Sequence, residues 1–377
     1  MKKTTTMVIA LLLAMTMVLG VFAGCSSSQP AADTPPASAD APADDAAPAD
    51  DAAAAQSETR SGPCKEGPYK VGMSCNALSI SFWVQQNQEF ISEAEKLKAE
   101  GVISEYYTTN ANHDVAKQIS DIKDLMTKGC DIILIDAASS TALVPVVEEC
   151  FEKGIRVASF DNFVDTENQT TIIKQDEEEF GRLGAQFIAD AIGGKGKICI
   201  LNATAGVTSN EYRRKGAESV FSQYPDIEIL AEANGDCDYA KGKGIVESYV
   251  SAFEEIDAIW SQGGAMTQAA IDVFNSVGRP LVPMSGEGNN GFLRAWKENA
   301  EKGFSSVAPV ISTATPRVAL NACIADLQGT EAEPIIQMEL GVITQENIDD
   351  YYDPELPDSY WCETDLTKEE LKELYSK

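Results

Sequence analysis

Two doubly wound parallel-sheet α/β domains are the fold class this sequence predicts, and three observations carry it. From Tyr69 onward, short apolar runs alternate with amphipathic runs of helical period. The alternation forms two successive series, separated by a polar loop over 161–168. Setting aside residues 1–63 leaves roughly 310 residues, enough for two domains that share a large buried core.

Residues 1–24 read as a secretory leader. Lys2 and Lys3 precede an apolar run from Met7 to Leu19, too short to span a bilayer comfortably. The run ends Val21-Phe22-Ala23-Gly24-Cys25, which resembles a bacterial lipoprotein cleavage site with Phe22 in place of the usual aliphatic residue. Cys25 is therefore the expected lipidation site, with ordinary cleavage near Ala23 as the other reading. The protein is expected to be exported and lipid-anchored to the outer face of the cell membrane. Residues 25–63, rich in Ala, Pro, Asp and Ser, cannot bury enough surface to offset their conformational entropy, so they read as an extended acidic tether. A net charge of -30 argues against a nucleic-acid partner. Nine cysteines leave an even number once Cys25 is lipidated. No CxxC or zinc-type cluster occurs, and Cys130 with Cys150 is the pairing that the element order suggests. No metal or other cofactor is expected.

The first series opens with a strand over 69–75, a polar turn and a helix from Phe82. The turn leaving the carboxyl end of a parallel strand opens onto the ligand crevice, which places Ser74, Asn76, Ser79, Phe82 and Trp83 there. Adjacent aromatics behind small polar residues suit a sugar, whose C–H faces stack while its hydroxyls take hydrogen bonds. Phe82 and Trp83 equally suit the buried first turn of the helix. Strand 103–108, helix 114–127, strand 131–136, helix 141–152 and strand 155–160 follow. The sole histidine, His113, precedes Asp114 at a helix start and reads as a capping or surface residue. Residues 171–173 read as a crossing strand.

The second series comprises helix 180–192, strand 197–201, helix 209–223, strand 227–233, helix 239–253, strand 258–260, helix 266–274, strand 281–284 and helix 289–300. Near 306–310 the chain crosses back for helix 317–327, 343–345 suggests a final crossing, and hinges are expected near 171–176, 306–311 and 334–341. Thr367-x-x-Glu370 opens a short capped helix containing Leu371 and Leu374, after an ordered loop with Pro354, Pro357 and Trp361. The first domain is thus residues 64–174 plus about 310–334, and the second 175–309 plus about 335–377 with a C-terminal extension.

Five places make the chain similar to the ribose- and galactose-binding periplasmic proteins that serve ABC importers. They are the first strand with Phe82-Trp83, Ser159-Phe160-Asp161-Asn162, Gln175-Asp176, the stretch from Thr208 to Gly216, and Ser285-Gly286-Glu287-Gly288. The resemblance implies two domains joined by three crossings that close on a sugar or sugar-like molecule, working as a monomer with an ABC permease. It implies that Asp161 accepts from sugar hydroxyls and that Arg213 reaches the sugar from the second domain. Asn162 stands where many relatives carry an arginine, and Glu287 where an aspartate is common. Asp236-Cys237-Asp238 lacks the aromatic that often lies between the two aspartates. Gly263-Gly264 replaces an asparagine-aspartate pair, either widening the cleft or forming a tight turn, with Gln262 or Tyr239 left to supply contacts. Pro309 stands near an expected glutamine.

A ligand-sensing receptor would use the same body. An enzyme is not expected, since no phosphate loop, nucleophile elbow or H-E-x-x-H motif occurs. Asp161 with Glu287 only hints at the acid pair of a glycoside hydrolase. A regulator of the lactose-repressor type would need a DNA-binding head where this chain has a leader and tether.

Overall fold

Strand cores such as Ile132–Ile135 are apolar on both faces and must be covered by helices on both sides. The computed structural model describes residues 62–376, which lie within one structural unit. The expected leader, Cys25 and nearly all of the tether fall outside them.

The first series runs β1 (Tyr69–Cys75), α1 (Ser81–Ala99), β2 (Ile103–Asn110), α2 (Val115–Thr127), β3 (Ile132–Ile135), α3 (Val144–Glu152), β4 (Arg156–Phe160) and β5 (Thr171–Lys174). The second runs α4 (Glu177–Ala191), β6 (Lys195–Asn202), α5 (Thr208–Phe221), β7 (Asp226–Asn234), α6 (Tyr239–Ala252), β8 (Ala258–Ser261), α7 (Gly264–Ser276), β9 (Met284–Ser285), α8 (Asn290–Ala300) and β10 (Ser306–Val310). Then α9 (Thr315–Leu327) and β11 (Ile335–Gln337) return to the first lobe, β12 (Gly341–Ile343) and α10 (Ile348–Tyr351) rejoin the second, and α11 (Lys368–Tyr375) follows.

The first sheet has the order β11-β5-β4-β3-β1-β2 and is parallel throughout. The second has the order β12-β10-β9-β8-β6-β7, parallel except for β12. Separate apolar clusters cover the two faces of each sheet. Both sheets therefore send the turns after their strands toward one interlobe cleft.

Four expectations change. β5 pairs with β4 and β11 inside the first sheet and is not itself a crossing, because its alternate residues Thr171 and Ile173 are buried there. The crossings are 175–176, 311–314 and 338–340: the first and last fall within the expected hinge stretches, the second begins at the end of its own, and 343–345 is not a crossing, since Ile343 belongs to β12. Gln175 joins the first two: its Oε1 accepts from the Ser312 N–H at 2.6 Å, and its Nε2 donates to the Ser312 carbonyl at 3.3 Å. Beyond Cys362, which still donates to the Gly288 carbonyl of the second lobe, the tail reaches the first lobe at Thr364 and Asp365, because Glu89, wholly buried on α1, collects their donors. Glu89 accepts from the Thr364 hydroxyl at 2.5 Å, the Asp365 N–H at 2.9 Å and Arg317 Nη2 at 2.9 Å. Cys130 and Cys150 share one apolar cluster as free thiols, and burial pushes them up to about 11 and about 12 respectively. They act there as small hydrophobes.

Arg156 is the largest charge buried in the first lobe. Its Nε donates to Asp326 Oδ1 at 2.6 Å and its Nη2 to the Gly62 carbonyl at 2.6 Å, tying β4 to the end of α9 and to the entering chain. Removing one partner of a buried pair strands the other, at a cost of about 3–5 kcal/mol. Arg156→Leu is therefore expected to lose about that much in chemical denaturation, whereas Arg156→Leu combined with Asp326→Leu recovers much of it; equal losses in both would show that the ion pair is not the cause.

Candidate functional site

On the second lobe the site is built around one guanidinium. Asp176 caps α4 by accepting from the Glu179 N–H at 2.9 Å, which sets Glu177 in the first turn with Phe180 one turn on. Helix α5 crosses so closely that a Cβ on Gly181 would lie 1.9 Å from the Arg213 carbonyl oxygen, and one on Gly216 1.9 Å from that of Glu178. The contact sets Arg213 over the Phe180 ring, 3.8 Å from its centroid. Its Nε donates to Glu177 Oε2 at 2.5 Å, and its Nη1 donates to the Gln262 carbonyl at 2.8 Å and pairs with Glu287 Oε1 at 3.0 Å. Burial pushes the Glu287 carboxyl up to about 7, against the pull of Arg213 and with help from Glu177 and Asp161. Burial also works against the Arg213 charge, but the two glutamates outweigh it and hold its pKa above the ordinary value.

The first lobe supplies a second acidic pair. Asp161 follows β4 with φ at 56°, a conformation an aspartate tolerates better than most residues. Its Oδ2 accepts from Trp83 Nε1 at 2.9 Å. Burial, then Glu177, pushes its carboxyl up to about 6, while the Trp83 bond and Arg213 pull the other way. The Asn162 amide donates to Asp136 Oδ1 at 2.9 Å and to Asp161 Oδ2 at 3.4 Å. Burial and Asp161 together raise Asp136 well above the usual carboxylate range. Beside them, both side-chain polar atoms of Asn76, the Oδ1 of Asn162 and the Oε1 of Gln262 are buried without a hydrogen-bond partner.

Apolar walls close the remaining sides. Phe82, Trp83, Phe180, Ile311 and Trp361 form one cluster drawn from both lobes and the tail. Trp361 meets Phe82 edge to face at 5.1 Å, and its Nε1 donates to Ser81 Oγ at 2.8 Å. Gln85 fixes the Trp361 backbone, donating to its carbonyl at 2.9 Å and accepting from its N–H at 3.1 Å. The central cavity, lined by Trp83, Asp161, Arg213, Glu287 and Trp361, holds about 40 Å³. That is room for a few waters. Wider openings of about 220 Å³, beside Gln175 and Tyr212, and about 420 Å³, beside Tyr239 and Asp358, flank it.

Phe82, Trp83, Asp161, Arg213 and Glu287 meet at this cavity. The two aromatics are core and cleft wall at once. Asn76, Asn162 and Gln262 lie in the polar layer around it. Three residues do not join them. Ser74 sits beneath α2, where its Oγ and carbonyl accept from Gln118 at 3.3 Å, because its side chain points into the first lobe. Ser79 is exposed and pairs with His113 Nε2 at 3.0 Å. Asp236 turns outward to Lys241 because Asp236 and Cys237 both adopt positive φ, and Cys237 takes the cleft position. Tyr239 donates to Asp272 at 2.8 Å and borders only the larger opening. Gly264 does not widen the cleft: it lets α7 begin against the Glu287 loop, since a Cβ would lie 2.5 Å from the Glu287 carbonyl oxygen.

Sequence reasoning missed Glu177, Asp136 and Trp361. An acid directly after the all-apolar β3 was a usable signal for Asp136, whereas Glu177 hid in a run of three glutamates and Trp361 in a tail without periodicity.

A family model described as "periplasmic binding protein domain" matches residues 71–323, and the chain belongs to that family. It is similar to the ribose import binding protein of Bacillus subtilis (strain 168), with 25% identity over 76% of this chain and 90% of the relative. It is also similar to a xylitol-binding protein of Mycolicibacterium smegmatis, with 28% identity over 72% of this chain and 78% of that protein. An ABC transporter solute-binding protein from Thermobispora bispora has the same fold, with a TM-score of 0.72 at 22% identity over 82% of this chain and 95% of that one.

The raised carboxyls give the cleft a pH signature. Between the ordinary glutamate value of 4.5 and about 7, the folded state holds a proton on Glu287 that the unfolded chain has lost. The folded state then binds more protons, so stability falls as pH rises through that window. Melting temperatures of the ligand-free protein from about pH 5 to 8 are expected to decline, and Glu287→Gln to flatten the decline; the same slope in both proteins would mean that Glu287 titrates normally.

Proposed function

We propose that this periplasmic binding protein captures a sugar or polyol between its lobes and presents it to an ABC-type importer in the membrane. One observation carries the reading: Asp161 and Trp83 from the first lobe and Arg213 and Glu287 from the second converge on a single aromatic-walled cavity. A carboxylate accepts hydroxyl hydrogen bonds, a guanidinium donates them, and Trp83 and Trp361 offer apolar faces to ring carbons. The ribose and xylitol named for two relatives fit that chemistry. Because the two lobes supply different contacts, a ligand touching both favours the closed arrangement by its differential affinity for it. A receptor is favoured over an enzyme because the family model that matches the chain is that of a binding domain.

We further propose that Cys25 carries a lipid that holds the protein at the outer face of the membrane, on the strength of the sequence around it. Cys25→Ser is then expected to shift the protein from the membrane fraction to the soluble one or leave it unprocessed. Unchanged processing and fractionation would remove the anchor.

The ligand reading is tested by a thermal-shift screen of pentoses, hexoses and polyols, since a binder stabilises only the native state. For any hit, Arg213→Ala and Trp83→Ala should each weaken binding about tenfold to a hundredfold in calorimetry, as loss of a charged hydrogen bond or a stacked ring does. Parental affinity in both variants would place the site elsewhere.

A further inference from the structure

Around the cavity, four carboxyls face one cation. Glu177 and Glu287 share Arg213. On the other lobe, Asp136 and Asp161 have only the neutral Asn162 amide between them. Among the described residues Lys174 lines the flanking opening, its ammonium over the Phe163 ring at 4.9 Å from the centroid, and His113 meets the Trp83 ring at 5.6 Å. Lys241 points outward to Asp236. Amide atoms buried without partners near these groups tilt the same way: Asn162 Oδ1, Gln262 Oε1, Asn210 Oδ1 and Asn76 Oδ1 are acceptors and Asn76 Nδ2 a donor, while the unpartnered Thr109 and Thr171 hydroxyls lie in strands β2 and β5 and Gln169 Oε1 lies in the loop before β5. The donors already present are committed, Trp83 Nε1 to Asp161 and Arg213 to its glutamates. A buried site with surplus acceptors, whose carboxyls burial keeps from ionising freely, is completed by a ligand rich in N–H groups, and a positive charge on that ligand favours their ionised form.

We infer that the bound sugar or polyol carries a protonated amine, seated against Asp161 with Asp136 behind it across the Asn162 amide. The inference rests on the sugar-binding reading above and narrows it to amino sugars and amino polyols. A hydroxyl in the same place would satisfy one acceptor and do nothing to favour the ionised form of either aspartate. An ammonium brings three donors and the missing charge together. Among the described residues no three acidic, histidine or cysteine side chains converge as a metal ion requires, which favours an organic cation.

Calorimetry at neutral pH with matched sets tests this: glucosamine, galactosamine and mannosamine, each against its parent hexose and its N-acetyl form. The N-acetyl sugars keep the substituent but lose the charge. At least one amine is expected to bind about tenfold to a hundredfold more tightly than both of its neutral counterparts. Asp161→Asn should bring that preference close to parity while a circular-dichroism melt shows a folded protein, and Asp136→Asn should reduce it in the same direction. Neutral hexoses binding as tightly as their amines would overturn the amine and leave the sugar reading standing. An undiminished preference in both variants would overturn the assignment to these two aspartates. Binding by no member of any set, and by nothing in the wider sugar and polyol screen, would overturn both readings.

Discussion

A guanidinium taken out of water must be surrounded by groups that replace its hydration, and the second lobe is organised around doing so for Arg213. Glu177, Glu287, the Gln262 carbonyl and the Phe180 face each cover one side of it. None of these contacts is local in sequence. They depend on α4 and α5 meeting at backbone distance, which only glycine at 181 and 216 permits. They depend as well on β9 ending so that the next turn presents Glu287. The two glycines, the three-glutamate start of α4 and the short β9 have one common consequence, an arginine held rigid at the cleft floor.

The lobes are linked by more than three passages of chain. Gln175 bonds the first crossing to the second through Ser312, and Thr313 in that second crossing donates its N–H to the Glu363 carbonyl at 2.9 Å. The tail thus runs alongside the hinge as a fourth passage. It leaves the second lobe where Asn290 and Gly291 donate to the Tyr360 and Asp358 carbonyls, at 2.8 and 3.0 Å, and reaches the first lobe at Gln85 and Glu89. Trp361 lies at the changeover, where it is both part of the hinge packing and a wall of the cavity. Any rotation of the lobes must therefore move a residue that lines the site.

How much of this could be read beforehand depended on the range of the interaction concerned. The alternation of strands and helices follows from local periodicity, so each element of the two series was legible within a few residues, and Thr367 with Glu370 announced the capping box of α11. The turn after the first strand is placed by topology alone, which is why Phe82 and Trp83 were found, whereas Asp161, Arg213 and Glu287 were named through the family resemblance. Ser74 failed because alternate residues of one strand face opposite ways, and sequence does not say which face the helix above will cover. Asp236 failed because two successive residues of positive φ reversed the direction of the loop. The tail was misplaced for a different reason: its destination is set by Glu89, a charge read only as part of an amphipathic helix. Its burial becomes visible once α1 and α9 are packed.

Burial makes the carboxyls of the cleft electrostatically costly. Asp136, Asp161 and Glu287 all have their carboxyls pushed upward chiefly by burial, and several amide atoms beside them have no partner. Opening the lobes would return water to Asp161 and relieve much of that penalty. A ligand whose donors meet these acceptors relieves it without opening. The free energy that favours closure on a ligand and the free energy that disfavours closure without one therefore reside in the same few side chains. This is why Arg213 has to be neutralised within its own lobe. If its counter-charges lay across the cleft, the empty protein would close on an internal ion pair and a ligand would have little left to contribute. With Glu177 and Glu287 on its own side, Arg213 is satisfied whether the lobes are open or closed, and the acceptors opposite remain available to whatever enters.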